Sequence, residues 1–213
     1  MNSPIDHPVA EARRTLEAWL EGVPAAPPLE PAALLPGSPD AATAEFVFAL
    51  LVWEAGEPKA ATAARRLAEQ FVDLNELRVA LVDEIEQAIG LDDSHATERA
   101  DLIATALMCV FDAEDDVSID RVARAGTLEV RTFLEDIPGL PAFVIDRVML
   151  LAMGEPRIPV DDRLRAVLTA KGIVGPETPD TDAADLLTRV CQPEDARDAY
   201  ARLEAAAGRL ARV

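Results

Sequence analysis

Asp161 is the residue of this sequence best suited to catalysis. It follows the segment Ile158–Val160 and stands where a helix is expected to begin. One role for it is that of a catalytic carboxylate in a cleft between two lobes. The other role is local, because Asp is favoured as the N-cap of a helix. The sequence predicts the helix start and leaves both roles open.

A second group of chemically capable side chains follows the apolar run that begins at Phe46. Glu54 and Glu57 could form a carboxylate pair that faces a cleft, suited to acid–base work or cation binding. The alternative is that both are exposed acids at a helix end. Trp53 could stack on a ligand, or it could belong to the core.

A hairpin turn is predicted at Ile137, Pro138, Gly139, Leu140 and Pro141, between two helices. Its carbonyl groups could bind a monovalent cation. The alternative is a structural turn that packs Ile137 and Leu140 inward. Proline and glycine at this density exclude a continuous helix through the segment.

The elements that must position these residues are predicted to be helices throughout. Apolar residues recur at helical spacing, no segment alternates as a strand would, and Ala and Leu supply much of the apolar content. We expect an all-α fold of about ten helices. Predicted helices include 8–21, 59–71, a single helix over 74–89 that ends at Gly90, and one over 95–111 capped by Ser94.

The hairpin and the aspartate together resemble the helix-hairpin-helix (HhH-GPD) DNA glycosylases, of the endonuclease III type. In that family an L-P-G-φ-G hairpin is followed, one helix later, by φ-D at a helix start. Gly139 and Asp161 fit this spacing without gaps, and the segments Phe46–Glu57 and Ile85–Phe111 resemble two earlier helices of the family. The resemblance covers roughly 40–170.

The resemblance implies a two-lobed fold. We expect a central lobe over 40–145 that ends in the hairpin, a second lobe from 1–22 and 146–213, and a Pro-rich linker over 23–39. In the family, hairpin N–H groups donate to a DNA phosphate. The aspartate stabilises positive charge as the bond to a flipped base breaks. A hairpin lysine acts as the nucleophile in members with lyase activity.

This sequence departs from the family pattern at several of these positions. Pro141, which has no N–H, replaces the second hairpin glycine, and Phe143 stands where the nucleophilic lysine would be. Glu54 matches the glutamine that fills the base stack in endonuclease III. The sequence has two cysteines, whereas the iron–sulfur loop needs four. We therefore expect no iron–sulfur cluster, no other cofactor and no metal site, and only Asp161 matches a catalytic residue.

Net charge bears on the partner. The chain carries 39 acidic and 20 basic residues, for a net charge of −19. Such a field repels duplex DNA, whose binding depends on basic residues that neutralise phosphates. DNA therefore remains possible but disfavoured as a partner, and a protein partner is the alternative. The sequence shows neither a signal peptide nor an apolar run long enough for a membrane helix, so we expect a cytoplasmic protein.

Two functions follow from these observations. The first is a divergent endonuclease III-like protein that is non-catalytic or altered in function, without AP-lyase chemistry. The second is a monofunctional DNA glycosylase of base-excision repair that uses Asp161 alone. Net charge by itself also suggests a third idea, an acidic protein that mimics DNA toward a basic partner.

Overall fold

The computed structural model describes the backbone of residues 6–25 and 29–210 and the side chains of residues 9–25 and 29–209. Across these residues the regular structure is entirely helical. There are twelve α-helices: α1 (Asp6–Leu20), α2 (Ala41–Val52), α3 (Glu57–Gln70), α4 (Leu74–Val79), α5 (Val82–Ile89), α6 (Ala96–Glu114), α7 (Asp120–Ala125), α8 (Thr127–Glu135), α9 (Ala142–Leu151), α10 (Asp162–Ala170), α11 (Asp180–Val190) and α12 (Ala196–Leu210). Short 3-10 helices span Pro31–Ala33 and Pro193–Asp195.

The chain divides into two compact units. The central unit is the contiguous segment Leu29–Gly154, and the terminal unit combines Met1–Pro28 with Glu155–Val213. The expected boundary after 145 would cut α9, whereas the structure keeps α9 whole in the central unit, where it packs on α2. The expected linker over 23–39 contains Pro31–Ala33 as a helical turn and a buried Leu35.

Helix α2 forms the centre of the central unit. Each residue from Phe46 to Val52 is fully buried, because the sequence of this helix is apolar on every side. Helices α3, α6 and α9 pack around it. A helix that is apolar all round is stable only when other elements surround it, which explains its central position.

The start of α2 is fixed by a polar network. Asp40 caps the helix, since its Oδ1 accepts from the Thr43 N–H at 3.0 Å. Its Oδ2 accepts from Thr43 Oγ1 at 2.6 Å and from Ser118 Oγ at 2.8 Å. Thr43 Oγ1 in turn accepts from the Ile119 N–H at 2.9 Å. The cap therefore also ties the start of α2 to the segment that precedes α7.

Two sequence predictions of helix bounds are wrong. The single helix expected over 74–89 is two helices, because Ala80 and Leu81 are extended and Glu84 caps the new helix by accepting from the Leu81 N–H at 3.0 Å. Ser94 does not cap α6. The N-cap is His95, and the nearby Asp93 accepts from its N–H at 3.0 Å.

The terminal unit joins the first helix to the last ones. Helix α1 packs on α11 and α12, and α10 packs on the same two helices. Arg202 of α12 donates to the carbonyl oxygens of Leu20 and Val23 at 3.0 and 2.7 Å. The Leu20 carbonyl also accepts from the Val23 N–H at 3.0 Å, so the guanidinium ties α12 to the turn that ends α1. Of the helices described, none is long and apolar enough to cross a membrane.

The Asp40 network predicts a pH-dependent contribution to stability. Burial alone would raise the pKa of Asp40, but the hydrogen bonds from Thr43 and Ser118 outweigh it and lower that pKa below its usual 3.8. A lowered pKa means that the contribution is present above the pKa of the unfolded chain and is lost as pH falls through the folded value. Asn also caps helices, but it lacks the charge that accepts from Thr43 and Ser118, so we expect Asp40→Asn to reduce the free energy of unfolding by about 1 kcal/mol at pH 7.

Urea unfolding at several pH values measures this effect. The difference between parent and Asp40→Asn should shrink as pH falls from 3.8 through the lower pKa of the folded state, because the parent carboxyl then becomes protonated as well. Asp92→Asn, at an exposed position, is the matched control and should leave stability nearly unchanged. A difference that stays constant from pH 7 to pH 2 would contradict the assignment.

Candidate functional site

Asp161 is the N-cap of α10 and is almost fully buried. Its exposed fraction is 1%, and its Oδ1 accepts from the Leu164 N–H at 3.0 Å. The preceding Ile158 and Val160 are buried, which anchors the extended segment that leads into the helix. The sequence therefore places this carboxylate at the helix start through local capping and through burial of its apolar neighbours.

The second oxygen of Asp161 binds an arginine two residues later. Its Oδ2 lies 2.9 Å from Arg163 Nε and 2.7 Å from Arg163 Nη2. The same guanidinium contacts Glu204, with 3.0 Å between Nη2 and Oε1, and the hydroxyl of Tyr200 donates to Glu204 at 3.0 Å. Both oxygens of Asp161 are therefore engaged by donors within the terminal unit.

The charge balance of this cluster follows from burial. Arg163 lies between two carboxylates whose side chains are 0% and 3% exposed. Burial lowers the pKa of Arg163, but Glu204 and Asp161 outweigh it, so the pKa of this guanidinium is raised. The arginine stays charged, and the two acids share its single positive charge. We call Asp161, Arg163, Tyr200 and Glu204 the Arg163 cluster.

Glu57 belongs to a second cluster, in the central unit. Arg147 of α9 is 1% exposed, and it donates from Nε to Glu45 at 2.7 Å and from Nη1 to Glu57 at 3.0 Å. Its guanidinium also lies over the ring of Phe48, 5.5 Å from the centroid. Glu57 thus binds a buried cation, and Glu45, an acid that sequence reasoning missed, completes the pair.

Trp53 and Glu54 form the turn that ends α2. Trp53 is half-buried, and its ring meets that of His95 edge to face with centroids 5.0 Å apart. Its carbonyl accepts from Nη2 of the fully buried Arg99 at 2.8 Å. Glu54 is half-buried with φ +56°, a left-handed conformation that non-glycine residues seldom adopt. The structure therefore brings Trp53 together with His95 and Arg99.

The arginines of these clusters were not singled out from the sequence. Arg147 does carry a signal, because it interrupts the apolar run from Val144 to Leu150 on a helix that must be buried. A charged residue in such a run needs a partner. The partner itself, however, lies about 90 or 100 residues away and leaves no local pattern.

The hairpin has the turn geometry that its sequence predicts. Gly139 has φ +74°, a conformation that glycine adopts without strain. The Leu140 N–H donates to the Ile137 carbonyl at 3.3 Å. Ile137 is buried and Leu140 is half-buried, while Pro138 is exposed and Pro141 is the N-cap of α9. At the second residue of α9, Phe143 is 3% exposed, so the side chain at the position that the resemblance assigns to the lysine belongs to the core.

The cysteines do not fit an iron–sulfur cluster. Both are free, and the sequence has only Cys109 and Cys191, one in each unit. Burial, with Asp195 and Glu17, raises the pKa of Cys191 to about 11, so this thiol stays protonated at neutral pH. Within the described residues no three His, Cys, Asp or Glu side chains are grouped to hold a metal ion.

Cys191 lines a cavity of about 490 Å³ in the terminal unit, between α1, α11 and α12. The cavity wall includes the acids Glu17, Glu21 and Asp198, but not Asp161. The candidate carboxylate therefore does not face this cavity.

Comparison with solved structures defines the fold. The chain is similar to endonuclease III in a trapped covalent intermediate with DNA, with a TM-score of 0.63 and 15% identity over 95% of this chain and 85% of the other. It is similar to H. pylori 3-methyladenine DNA glycosylase bound to 1,N6-ethenoadenine, with a TM-score of 0.61 and 13% identity over 96% and 97% of the two chains.

A third similar structure is the Clostridium acetobutylicum 8-oxoguanine glycosylase/lyase in complex with double-stranded DNA, with a TM-score of 0.59 and 15% identity over 80% of this chain and 61% of the other. No protein-family profile matches the sequence, and no curated protein matches it either. The chain has the fold of the helix-hairpin-helix DNA glycosylases. The predicted resemblance and the predicted all-α class are confirmed at the level of fold.

The Arg163 cluster predicts a large cost for removing its cation. Arg163→Met leaves the carboxylates of Asp161 and Glu204 buried without their counter-charge. We expect the free energy of unfolding to fall by about 3 kcal/mol. Urea unfolding followed by circular dichroism measures the loss.

Arg209→Met is the matched control, because Arg209 is exposed on α12 of the same unit and its removal should change stability by less than about 0.5 kcal/mol. If the two substitutions cost the same, the carboxylate of Asp161 does not depend on Arg163.

Proposed function

We propose that this protein is a non-catalytic relative of the helix-hairpin-helix DNA glycosylases. It acts by binding a partner, and it neither releases bases nor cleaves abasic sites. The proposal rests first on the fold, which it shares with enzymes that act on DNA. It rests second on the chemistry of the positions that such an enzyme would use. A fold can persist after its activity is lost, so the site decides the function.

The bonding of Asp161 carries the proposal. A carboxylate that stabilises the positive charge of a departing sugar must be ionised and must face that charge. Asp161 is 1% exposed, and one oxygen caps α10 while the other binds Arg163. A guanidinium 2.7 Å away already offsets its charge. This arrangement supports a structural role, in which the aspartate holds the start of α10.

The hairpin region supports the same conclusion. A lyase needs a solvent-accessible amine as nucleophile, and Phe143 occupies that position as a buried aromatic ring. Pro141 has no N–H to donate to a phosphate. The Leu140 N–H is used within the turn. The hairpin is therefore short of the donors with which a helix-hairpin-helix element binds the DNA backbone.

A monofunctional glycosylase is the second candidate function. The observation in its favour is that Asp161 stands at a helix start, one helix after the hairpin, as the catalytic aspartate of the family does. Such an enzyme would not need a lysine at position 143. Two observations argue against a monofunctional glycosylase. Arg163 already pairs with the carboxylate of Asp161, and the net charge of −19 opposes duplex binding.

A base-release assay tests the proposal directly. The protein is incubated at low salt with duplexes that carry uracil, alkylated or oxidised bases, beside an active glycosylase as positive control. We expect no base release, and no duplex binding by fluorescence anisotropy even at low ionic strength, where phosphate contacts are strongest.

The variant Asp161→Ser makes the outcome decisive. Serine also caps helices but carries no charge, so this variant separates the cap from the carboxylate. Base release by the parent that disappears in a folded Asp161→Ser variant would establish the monofunctional enzyme and overturn the proposal.

Substitution of the buried phenylalanine provides a further prediction. Phe143→Lys would place an ammonium group in the core, where desolvation opposes its charge. We expect a loss of stability of about 3 kcal/mol and no borohydride-trapped adduct with an abasic duplex. Phe143→Leu is the control for lost volume and should cost clearly less. A trapped adduct with Phe143→Lys would show that this position does reach DNA.

A further inference from the structure

Several large apolar side chains of the central unit are exposed where α4 meets α5 and along α6. Val79 is 61% exposed, Leu81 is 69% exposed and Met108 is 39% exposed. Single exposed apolar residues are ordinary, whereas a group of them on one surface marks an interaction site. The question is therefore whether these side chains are neighbours.

Arg78 joins the two parts of this surface. Its guanidinium lies over the ring of Phe111, 3.9 Å from the centroid, and its Nη1 is 3.5 Å from the Met108 sulfur. Val79 follows Arg78 directly. Leu81 lies two residues after Val79, so both exposed side chains belong to the segment that Arg78 anchors to α6. We call Val79, Leu81, Met108 and Phe111 the α4–α6 patch.

The patch is held in place by the core beneath it. Leu77 of α4 and Ile85 of α5 are fully buried, and the Leu81 N–H is bonded to Glu84. Arg78 is fixed by two hydrogen bonds to Asn75 Oδ1, at 3.1 and 2.9 Å. A surface fixed in this way loses little conformational entropy when a partner covers it.

The segments that carry the patch are more acidic than the chain as a whole. Residues 72–90 contain five acids and residues 104–117 contain four, with Arg78 as the only base in either segment. The whole chain has 39 acids to 20 bases. Asp112 follows Met108 by one helical turn, and Asp83 and Glu84 follow Leu81, so acids border the apolar side chains. The single base is already occupied by Phe111 and Asn75.

We propose that the α4–α6 patch docks an amphipathic helix of a partner protein, with an apolar stripe flanked by Lys or Arg. The apolar stripe covers Val79, Leu81 and Met108, and the basic flanks meet the acidic border. The opposite charges steer the partner to the surface and fix its orientation. A second copy of this chain is a poor occupant, since two such acidic borders repel each other. The inference is independent of whether Asp161 is catalytic.

Synthetic helices test this proposal. The probe is a fluorescent peptide of Leu and Lys with Leu at positions i, i+3, i+4 and i+7. Its controls are the same peptide with Glu in place of Lys and a scrambled Leu–Lys sequence. We expect the amphipathic Lys peptide to bind, with an affinity that falls as salt is added, and neither control peptide to bind comparably.

The variant Val79→Ser/Leu81→Ser identifies the surface. We expect it to lower the affinity of the Lys peptide at least about tenfold, since it removes the central apolar contacts. Both side chains are exposed, so the fold should tolerate the change. Leu128→Ser is the matched control, because Leu128 is 71% exposed on α8 of the same unit. It should leave the affinity unchanged.

The remaining outcomes overturn the proposal. Equal loss of affinity with Leu128→Ser, or equal binding of the scrambled peptide, would show general attraction of cations to an acidic protein. A dimer in light scattering that dissociates in Val79→Ser/Leu81→Ser would identify a second copy as the occupant. If no peptide binds, the patch does not dock a basic amphipathic helix and the proposal is wrong. The base-release assay is unaffected by these results, so the two proposals fail separately.

Discussion

Each unit contains an arginine whose charged side chain has little exposure to solvent. A buried cation without a counter-charge would cost several kcal/mol, so each one recruits carboxylates or carbonyls. Arg147 binds Glu45 and Glu57, and Arg163 binds Asp161 and Glu204. These ion pairs join α9 to α2 and α3 in the central unit, and α10 to α12 in the terminal unit.

The same constraint decides which acids are available for chemistry. From the sequence, Asp161 is a candidate because it stands at a predicted helix start in the resemblance, and Glu57 is a candidate because it could pair with Glu54. In the folded chain each is the partner of a guanidinium, and Asp161 is also buried. Charge neutralisation inside the fold and charge stabilisation of a substrate compete for the same oxygens. In this structure these oxygens bind arginines and stabilise the fold.

The sequence predicts local features of this fold well. The uniform apolar run of α2, the Asp40 cap, the Gly90 end of α5 and the Asp161 start of α10 depend on neighbours within a few residues. The break at Ala80 was missed because no Pro or Gly marks it. The arginine clusters were missed for a different reason. Apart from Asp161, which is two residues from Arg163, their partners lie 41 to 102 residues away, and no periodicity or spacing connects residues so distant.

The order of the elements also sets a sequence of events during synthesis. The central unit is one continuous segment, so all of its elements are present once Gly154 has been made. Helix α1 is made first, yet its partners α11 and α12 come last. Until α11 has been made, α1 has no packing partner in its own unit, and the bonds from Arg202 to the carbonyls of Leu20 and Val23 form later still. The nascent chain therefore carries α1 as an unpacked amphipathic helix on the N-terminal side of a completed central unit. Its exposed apolar face is a binding site for a chaperone.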